Sequence, residues 1–199
     1  MLTRSGIGAA LALSLLAPAA LSAQTTTQQR NVIFFANGGG ASPVTDLNEA
    51  GTASLKTGWA AGGGVGVQIN PYVAVRGSFD LTRTEGEGSA AAALSSANLN
   101  HYFYGGDVQL RYPTASGFTP YLLLGAGAVT IDDTDDDAFE SFTKVAGKGG
   151  LGVEYVFAQS NVGLFAQATS YIYDYDRTGF DKTQADLLYT AGLSYRLPF

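Results

Sequence analysis

The feature that most constrains this chain is an alternation of apolar residues with small or polar ones, repeated in segment after segment. Such a period of 2 is typical of β-strands, because successive side chains in a strand point to opposite faces. The alternation is clearest in segments 58–69, 72–82, 101–112, 143–157 and 186–199. Segments 119–131 and 162–174 are strand-like with less distinct faces, and 31–40 is a candidate whose phase is undefined. We therefore predict eight strands of about 10 to 13 residues.

The connections between these segments alternate in length. Residues 70–71, 113–118 and 158–161 are short and contain turn-forming residues, whereas 41–57, 83–100, 132–142 and 175–185 are longer and polar. Short turns at one end and long loops at the other are typical of an antiparallel up-and-down meander. Eight strands remove their edges by closing into a barrel. The predicted fold class is therefore all-β, an eight-stranded antiparallel up-and-down β-barrel.

Two kinds of barrel differ in where the apolar face points. In a soluble carrier of the lipocalin type it surrounds a ligand, whereas in a transmembrane barrel it meets lipid and the polar face fills the lumen. The polar face here is poor in charge and rich in small residues, as in the glycines of segment 58–69, and only 14% of all residues are charged while 26 are glycine. Such a face suits a narrow barrel interior better than a solvated surface. A transmembrane β-barrel is therefore favoured.

Aromatic residues on the apolar face collect toward both strand ends. Those expected near the short turns are Tyr72, Tyr112, Tyr121, Tyr155, Phe157 and Phe199, and those near the long loops are Trp59, Phe79, Tyr102, Tyr104 and Tyr189. Two aromatic girdles are typical of the two interfaces between a membrane and water. Strands are rich in aromatic residues in general, so only the two-ended distribution argues for lipid.

The first 23 residues have the organisation of a secretory signal peptide. Arg4 precedes the apolar stretch 6–16, and small residues surround an expected cleavage site after Ala23. Pro18 interrupts the apolar run early, which argues against a membrane-anchoring helix. We predict a signal peptide at 1–23 and a barrel domain at 24–199, so the mature chain is exported.

Three segments, YTAGLSYRLPF at the C-terminus, GGGVGVQINPYVAVRGSFDLTR and PYLLLGAGAVT, carry a family resemblance. With them the chain resembles the outer-membrane β-barrel domain family of small eight-stranded barrels related to OmpA, OmpX and the opacity proteins. The terminal Phe199, preceded at alternate positions by Leu197, Tyr195 and Leu193, is similar to the family's insertion signal for the barrel-assembly machinery. The resemblance implies a monomer in the cell outer membrane of a Gram-negative-type envelope, in contact with outer-membrane lipid and lipopolysaccharide.

The alternation assigns seven charged residues to the lumen: Arg76, Asp80, Asp107, Arg111, Lys148, Glu154 and Arg196. Charges of both signs in a confined space are expected to pair, because an unpaired buried charge is very costly. We interpret the seven residues as a network of ion pairs that plugs the barrel. The alternative is a narrow polar path for protons, ions or small solutes.

Two other motifs carry weaker signals. The acidic run 132–137 does not fit an EF-hand, because the sixth position counted from Asp133 is Ala138 instead of Gly and the twelfth is Lys144 instead of Glu. A solvated, self-repelling loop is the expectation, and weak Ca²⁺ or Mg²⁺ binding that bridges to lipopolysaccharide phosphates is the alternative. Residues 147–152 match the pattern G-x-G-x-x-G, but a strand runs through them, so no dinucleotide is expected.

Few residues are available for catalysis, since the chain has no cysteine and one histidine. His101 is expected on the long-loop rim of the barrel, and we predict no enzyme and no catalytic, cofactor or metal site. The 17 acidic residues against 11 basic ones argue against nucleic-acid partners. The predicted function is a non-enzymatic role in membrane integrity, or in surface contact through the long acidic external loops. The alternatives are a narrow porin-like channel, a lipid-modifying enzyme that depends on His101, and a soluble carrier.

Overall fold

The computed structural model describes residues 30–44, 54–55, 57–87, 98–133, 141–177 and 180–199. These residues form nine strands: β1 (Asn31–Pro43), β2 (Ser54–Leu55), β3 (Gly58–Asn70), β4 (Val73–Glu87), β5 (Asn98–Arg111), β6 (Phe118–Asp133), β7 (Phe142–Val156), β8 (Val162–Arg177) and β9 (Phe180–Pro198). Within these ranges the chain has no helix of the length and apolarity that a membrane crossing requires. The predicted signal peptide lies outside them.

Eight of the strands form one closed antiparallel barrel. Each long strand pairs with the next long strand along the chain, and β1 pairs with β9, which closes the sheet. The two-residue β2 pairs only with the far end of β4, beyond the barrel wall. The predicted all-β, eight-stranded up-and-down barrel is therefore confirmed.

The pleat sends every second side chain into the lumen and the others outward. Large apolar residues cover the outer face and are exposed, among them Phe34, Val65, Leu124, Leu151 and Leu193. Exposed aromatic residues form two groups on this face: Tyr72, Tyr112, Phe157 and Phe199 near the short turns, and Trp59, Phe79, Tyr104 and Tyr189 farther toward the long-loop side, where β4, β5 and β9 continue beyond the last three. The outer face thus has the apolar band and the two girdles that a lipid bilayer requires.

Tyr121 is a correction to the predicted girdle. It is only 4% exposed and lies in the lumen, in register with Arg111 on the same face of the sheet. The prediction was wrong because β6 is apolar on both faces, with Leu123 and Val129 buried inside and Leu122 exposed outside. In such a strand the alternation does not reveal which face points inward.

Six of the eight barrel strands are longer than predicted, with 14 to 19 residues, whereas β1 and β3 have 13. β8 and β9 stay paired as far as Arg177 and Phe180, so segment 175–185, predicted as a long loop, is largely a hairpin. A tilted strand needs only about 9 to 11 residues to cross a membrane, and the extensions therefore project beyond it. In this hairpin the apolar alternation of the sequence ends before the strand pairing does.

Candidate functional site in the barrel lumen

The lumen contains all seven charged residues that the alternation assigns to it. Arg76, Asp80, Asp107, Arg111, Lys148 and Glu154 are buried, and Arg196 is half-buried. They lie on β4, β5, β7 and β9 at positions whose side chains share the inner face of the pleat. The structure brings six of them into two ion-pair clusters, and Asp80 lies outside both.

The first cluster is centred on Asp107. Arg76 Nε lies 2.8 Å from Asp107 Oδ1, and Lys148 Nζ lies 2.8 Å from Asp107 Oδ2, so each carboxylate oxygen has one cationic partner. Lys148 also donates a 2.7 Å hydrogen bond to Ser78 Oγ, across a part of the wall that contains two intervening strands. The Arg76 guanidinium lies 4.8 Å from the centre of the Phe35 ring, a cation–π contact. This cluster ties β1, β4, β5 and β7 together through the interior.

The second cluster is centred on Glu154. Its Oε2 accepts hydrogen bonds from Arg111 Nη2 at 2.7 Å and from Arg196 Nη2 at 2.6 Å. Its Oε1 accepts one from Ser194 Oγ at 2.6 Å, and Arg111 Nη1 donates to Gln109 Oε1 at 2.9 Å. Charge-assisted bonds of this length are among the strong ones in proteins. The cluster joins β5, β7 and β9 near the short-turn end.

Asp80 forms no ion pair with the described residues. Its Oδ2 accepts a 2.6 Å hydrogen bond from the hydroxyl of Tyr171, and Asn37 Nδ2 lies 3.5 Å from its Oδ1. The ammonium group of Lys148 lies 5.4 Å from the Tyr171 ring centre. Asp80 is therefore held by neutral donors, with Tyr171 between it and the nearest ion-pair cluster.

An aromatic layer fills the lumen above these charges. Phe103 is fully buried and stacks on Tyr171, with ring centres 4.1 Å apart, and Tyr173 packs against it at 6.2 Å. Buried Val129 and Leu188 belong to the same apolar cluster. Since Phe103 and Tyr171 come from strands that are not neighbours, this layer spans the interior.

His101 is the second correction. It is 2% exposed and lies inside the upper lumen instead of on the rim. Its Nδ1 lies 3.4 Å from Asp186 Oδ2, an oxygen that also accepts a 2.9 Å hydrogen bond from the Tyr173 hydroxyl. The predicted rim is too close to the short turns, because β5 and β9 both continue past His101 and Asp186 toward the long loops.

The predicted set therefore lacks several residues that the structure places in the site. Asp186 falls on the same side of the alternation as Thr190, Ser194 and Arg196, so the alternation could have identified it as a lumen residue. Tyr171 and Tyr173 carried no such signal, because the two faces of segment 162–174 are less distinct. Within the described residues, no group of three His, Cys, Asp or Glu side chains has the geometry of a metal site.

Two other predicted features are the insertion signal of β9 and the acidic run 132–137. Leu193, Tyr195, Leu197 and Phe199 are exposed along the outer face of β9, and their role as an insertion signal stays a prediction. Of the acidic run 132–137, the residues from 134 onward lie outside the described residues. Its solvation and its affinity for divalent cations also stay predictions.

Comparison with known proteins gives a family and a set of similar folds. A family model described as an outer membrane protein β-barrel domain matches residues 9–196. The chain is similar to the crystal structure of Neisserial surface protein A, with 17% identity and a TM-score of 0.58 over 84% of this chain and 97% of that one. It is also similar to the outer membrane protein OprG from Pseudomonas aeruginosa, with 15% identity and a TM-score of 0.53 over 85% of this chain and 97% of that one.

A third similar structure is Ail, the attachment invasion locus protein of Yersinia pestis. It has 16% identity and a TM-score of 0.51 over 85% of this chain and 99% of that one. At such identities the likeness shows the fold alone. The comparison with curated proteins gives no match.

Proposed function

Because this chain belongs to the outer membrane protein β-barrel domain family and lies in the outer membrane, we propose that it acts as a non-enzymatic surface-contact protein through the acidic loops and hairpins at its external end. The observation that carries the proposal is the filled lumen. Ion pairs and an aromatic layer occupy the interior from wall to wall. The surfaces left to meet a partner are the outer wall, which lipid covers, and the two ends.

Contacts across the barrel support a closed interior. His101 and Asp186 lie on β5 and β9, and Tyr171 and Asp80 lie on β8 and β4. In each pair three strands separate the partners in either direction around the barrel, so the side chains meet across its full width. Bridges of this kind at more than one level narrow any path through the lumen, which favours the surface-contact role over a channel.

The distribution of charge supports the external end as the contact surface. Of the 17 acidic residues, Asp80, Asp107, Glu154 and Asp186 face the lumen, and the other 13 lie in or next to the sequence segments that we predict as long loops. Most of the net negative charge therefore lies outside the membrane. Such a field attracts basic surfaces at a distance of about one Debye length, roughly 8 Å at physiological salt. We therefore propose partners that present clustered lysine and arginine.

The proteins that this fold resembles give a parallel. One is named a surface protein and another an attachment invasion locus protein. In this proposal the chain also contacts lipid and lipopolysaccharide along its wall, works as a monomer, and meets the barrel-assembly machinery through the outer face of β9. Membrane integrity is the second role that the same fold supports.

The proposal is tested by attachment of cells that carry the protein to surfaces coated with a basic polypeptide. A variant with Asp132, Asp133, Asp135, Asp136 and Asp137 replaced by Asn should attach several-fold less, and added salt should weaken attachment by the parent protein. The control is the variant Lys144→Gln/Lys182→Gln, which removes positive charge from the same end and should attach at least as well.

Equal attachment by the parent and the aspartate variant, with both folded, would contradict the surface-contact role. Increased permeability of a deletion strain to large antibiotics would then favour membrane integrity. Steady single-channel conductance by the parent protein in planar bilayers would support the channel instead. A changed lipid A composition that His101→Ala abolishes would support the enzyme.

A further inference from the structure

A small cavity lies in the lower lumen between the two ion-pair clusters. Arg76, Arg111 and Glu154 border it together with Phe35 and Tyr121, and its volume is about 10 Å³. A cavity of this size holds about one water molecule or one small ion. It is therefore large enough for a single-atom ligand and too small for phosphate or a sugar.

Two guanidinium groups present unused donors at this level. Arg76 is 5% exposed and Arg111 is 6% exposed, so both are buried. Arg76 Nη2 and Arg111 Nε are buried nitrogen atoms without a hydrogen-bond partner in the described structure. A buried N–H donor of a charged group is strongly destabilising when it has no acceptor. Each of the two nitrogen atoms therefore requires an acceptor.

Most of the acceptor capacity that borders the cavity is already used. Glu154 Oε2 accepts from two arginines and its Oε1 accepts from Ser194, while Gln109 Oε1 accepts from Arg111 Nη1. A water molecule could accept the two N–H groups and donate to Glu154 Oε1 or to the Tyr121 hydroxyl oxygen, but it would bring no negative charge. A monatomic anion accepts several N–H groups and brings no donor.

The net charge of the two ion-pair clusters also favours an anion in the cavity. They contain four cations and two carboxylates: Arg76, Lys148, Arg111 and Arg196 with Asp107 and Glu154. The remaining lumen carboxylates bind elsewhere, Asp80 to Tyr171 and Asn37, and Asp186 to Tyr173 beside His101. An excess of buried positive charge is costly unless a counter-charge accompanies it.

We propose that the lower lumen binds one small monovalent anion of the halide class, held by Arg76 Nη2 and Arg111 Nε. Bound there, the anion neutralises part of the excess charge and becomes a component of the plug. This site is independent of the surface-contact role, since it lies inside the barrel and faces no partner. Its stabilising effect should therefore depend on the kind of anion in solution and not on ionic strength alone.

The test uses the folded mature protein in a zwitterionic detergent. At constant ionic strength, replacing gluconate by chloride or bromide should raise the unfolding temperature saturably, by about 2 to 8 °C. Crystals grown in bromide should show an anomalous peak within hydrogen-bond distance of both guanidinium groups. Arg111→Gln should abolish the difference between chloride and gluconate, whereas Arg83→Gln, which removes a cation far from the cavity, should leave it unchanged.

Equal unfolding temperatures in chloride and gluconate would overturn the proposal, as would crystals that contain only ordered water at this position. If Arg111→Gln does not fold, the bromide peak of the parent protein decides the question by itself. Loss of attachment in the aspartate variant and loss of halide binding are separate results, so either proposal can fail without the other.

Discussion

Tyr171 donates a 2.6 Å hydrogen bond to Asp80 from the opposite wall of the barrel. The two residues lie on β8 and β4, and three strands separate these in either direction around the sheet. The same tyrosine ring stacks on Phe103. A single side chain thus joins the polar and the aromatic parts of the plug.

Removing the hydroxyl alone separates these two contributions. Tyr171→Phe keeps the stacked ring but leaves a buried carboxylate without its shortest hydrogen bond, which should cost about 1–3 kcal/mol of unfolding free energy. The measurement is urea-induced unfolding in lipid vesicles or detergent. Tyr189→Phe, which removes a hydroxyl from the exposed outer face, serves as the control and should change stability little. Equal effects of the two variants would contradict the role given to the bond with Asp80.

Glu154 is a carboxylate shared by two arginines. Glu154→Gln should destabilise the barrel by about 3–5 kcal/mol, because it removes the carboxylate shared by the buried Arg111 and the half-buried Arg196. The same urea titration measures it. Asp174→Asn removes an acidic group from the exposed hairpin and should lie within about 0.5 kcal/mol of the parent. A small effect of Glu154→Gln would mean that solvent or an ion already screens the arginines.

Two glycines of β7 allow a matched comparison of space inside and outside the wall. A Cβ added to Gly152 would lie 2.5 Å from Tyr121 Cζ and 2.7 Å from a backbone oxygen, whereas one added to Gly149 would meet nothing within 4 Å. Gly152→Ala should therefore cost about 1–3 kcal/mol through overpacking and displacement of Tyr121. Gly149→Ala should be neutral or slightly stabilising. Comparable losses in both variants would show that chain flexibility, and not space, explains these glycines.

The lipid-facing wall gives a prediction that depends on membrane insertion. Leu124 is 60% exposed near the middle of β6, and Leu124→Arg should cost about 2–4 kcal/mol in a bilayer. Ala158→Arg, in an exposed turn, should cost little. Unfolding from lipid vesicles measures both variants. If Leu124→Arg is tolerated as well as Ala158→Arg, this part of the wall does not contact the hydrocarbon.

The walls of the barrel could be predicted from the sequence because their two faces meet different surroundings. Wherever one face meets lipid and the other a polar lumen, the alternation is strong, as in β9. It weakens where the surroundings become alike. β6 has apolar side chains on both faces, which explains the error at Tyr121. Segment 175–185 lacks a regular alternation in the sequence, which explains the error there.

The contacts inside the lumen were less accessible to prediction. Alternation assigns Arg111, Glu154 and Arg196 to the inner face, but it does not state which of them meet, because that depends on the stagger between strands around the closed barrel. His101 and Asp186 are 85 positions apart in the chain and lie on opposite walls. Only the complete register brings such residues together.

The pairing of β1 with β9 also determines when the chain can insert into the membrane. The thirteen paired positions of this seam join the first strand to the last, and the amide of Phe199 donates to the carbonyl of Arg30 at its lower end. Until the final strand is in place, β1 and β8 each present a row of unpaired backbone groups, which hydrocarbon does not tolerate. A nascent chain therefore has no stable partial insertion available, and its commitment to the membrane waits for β9.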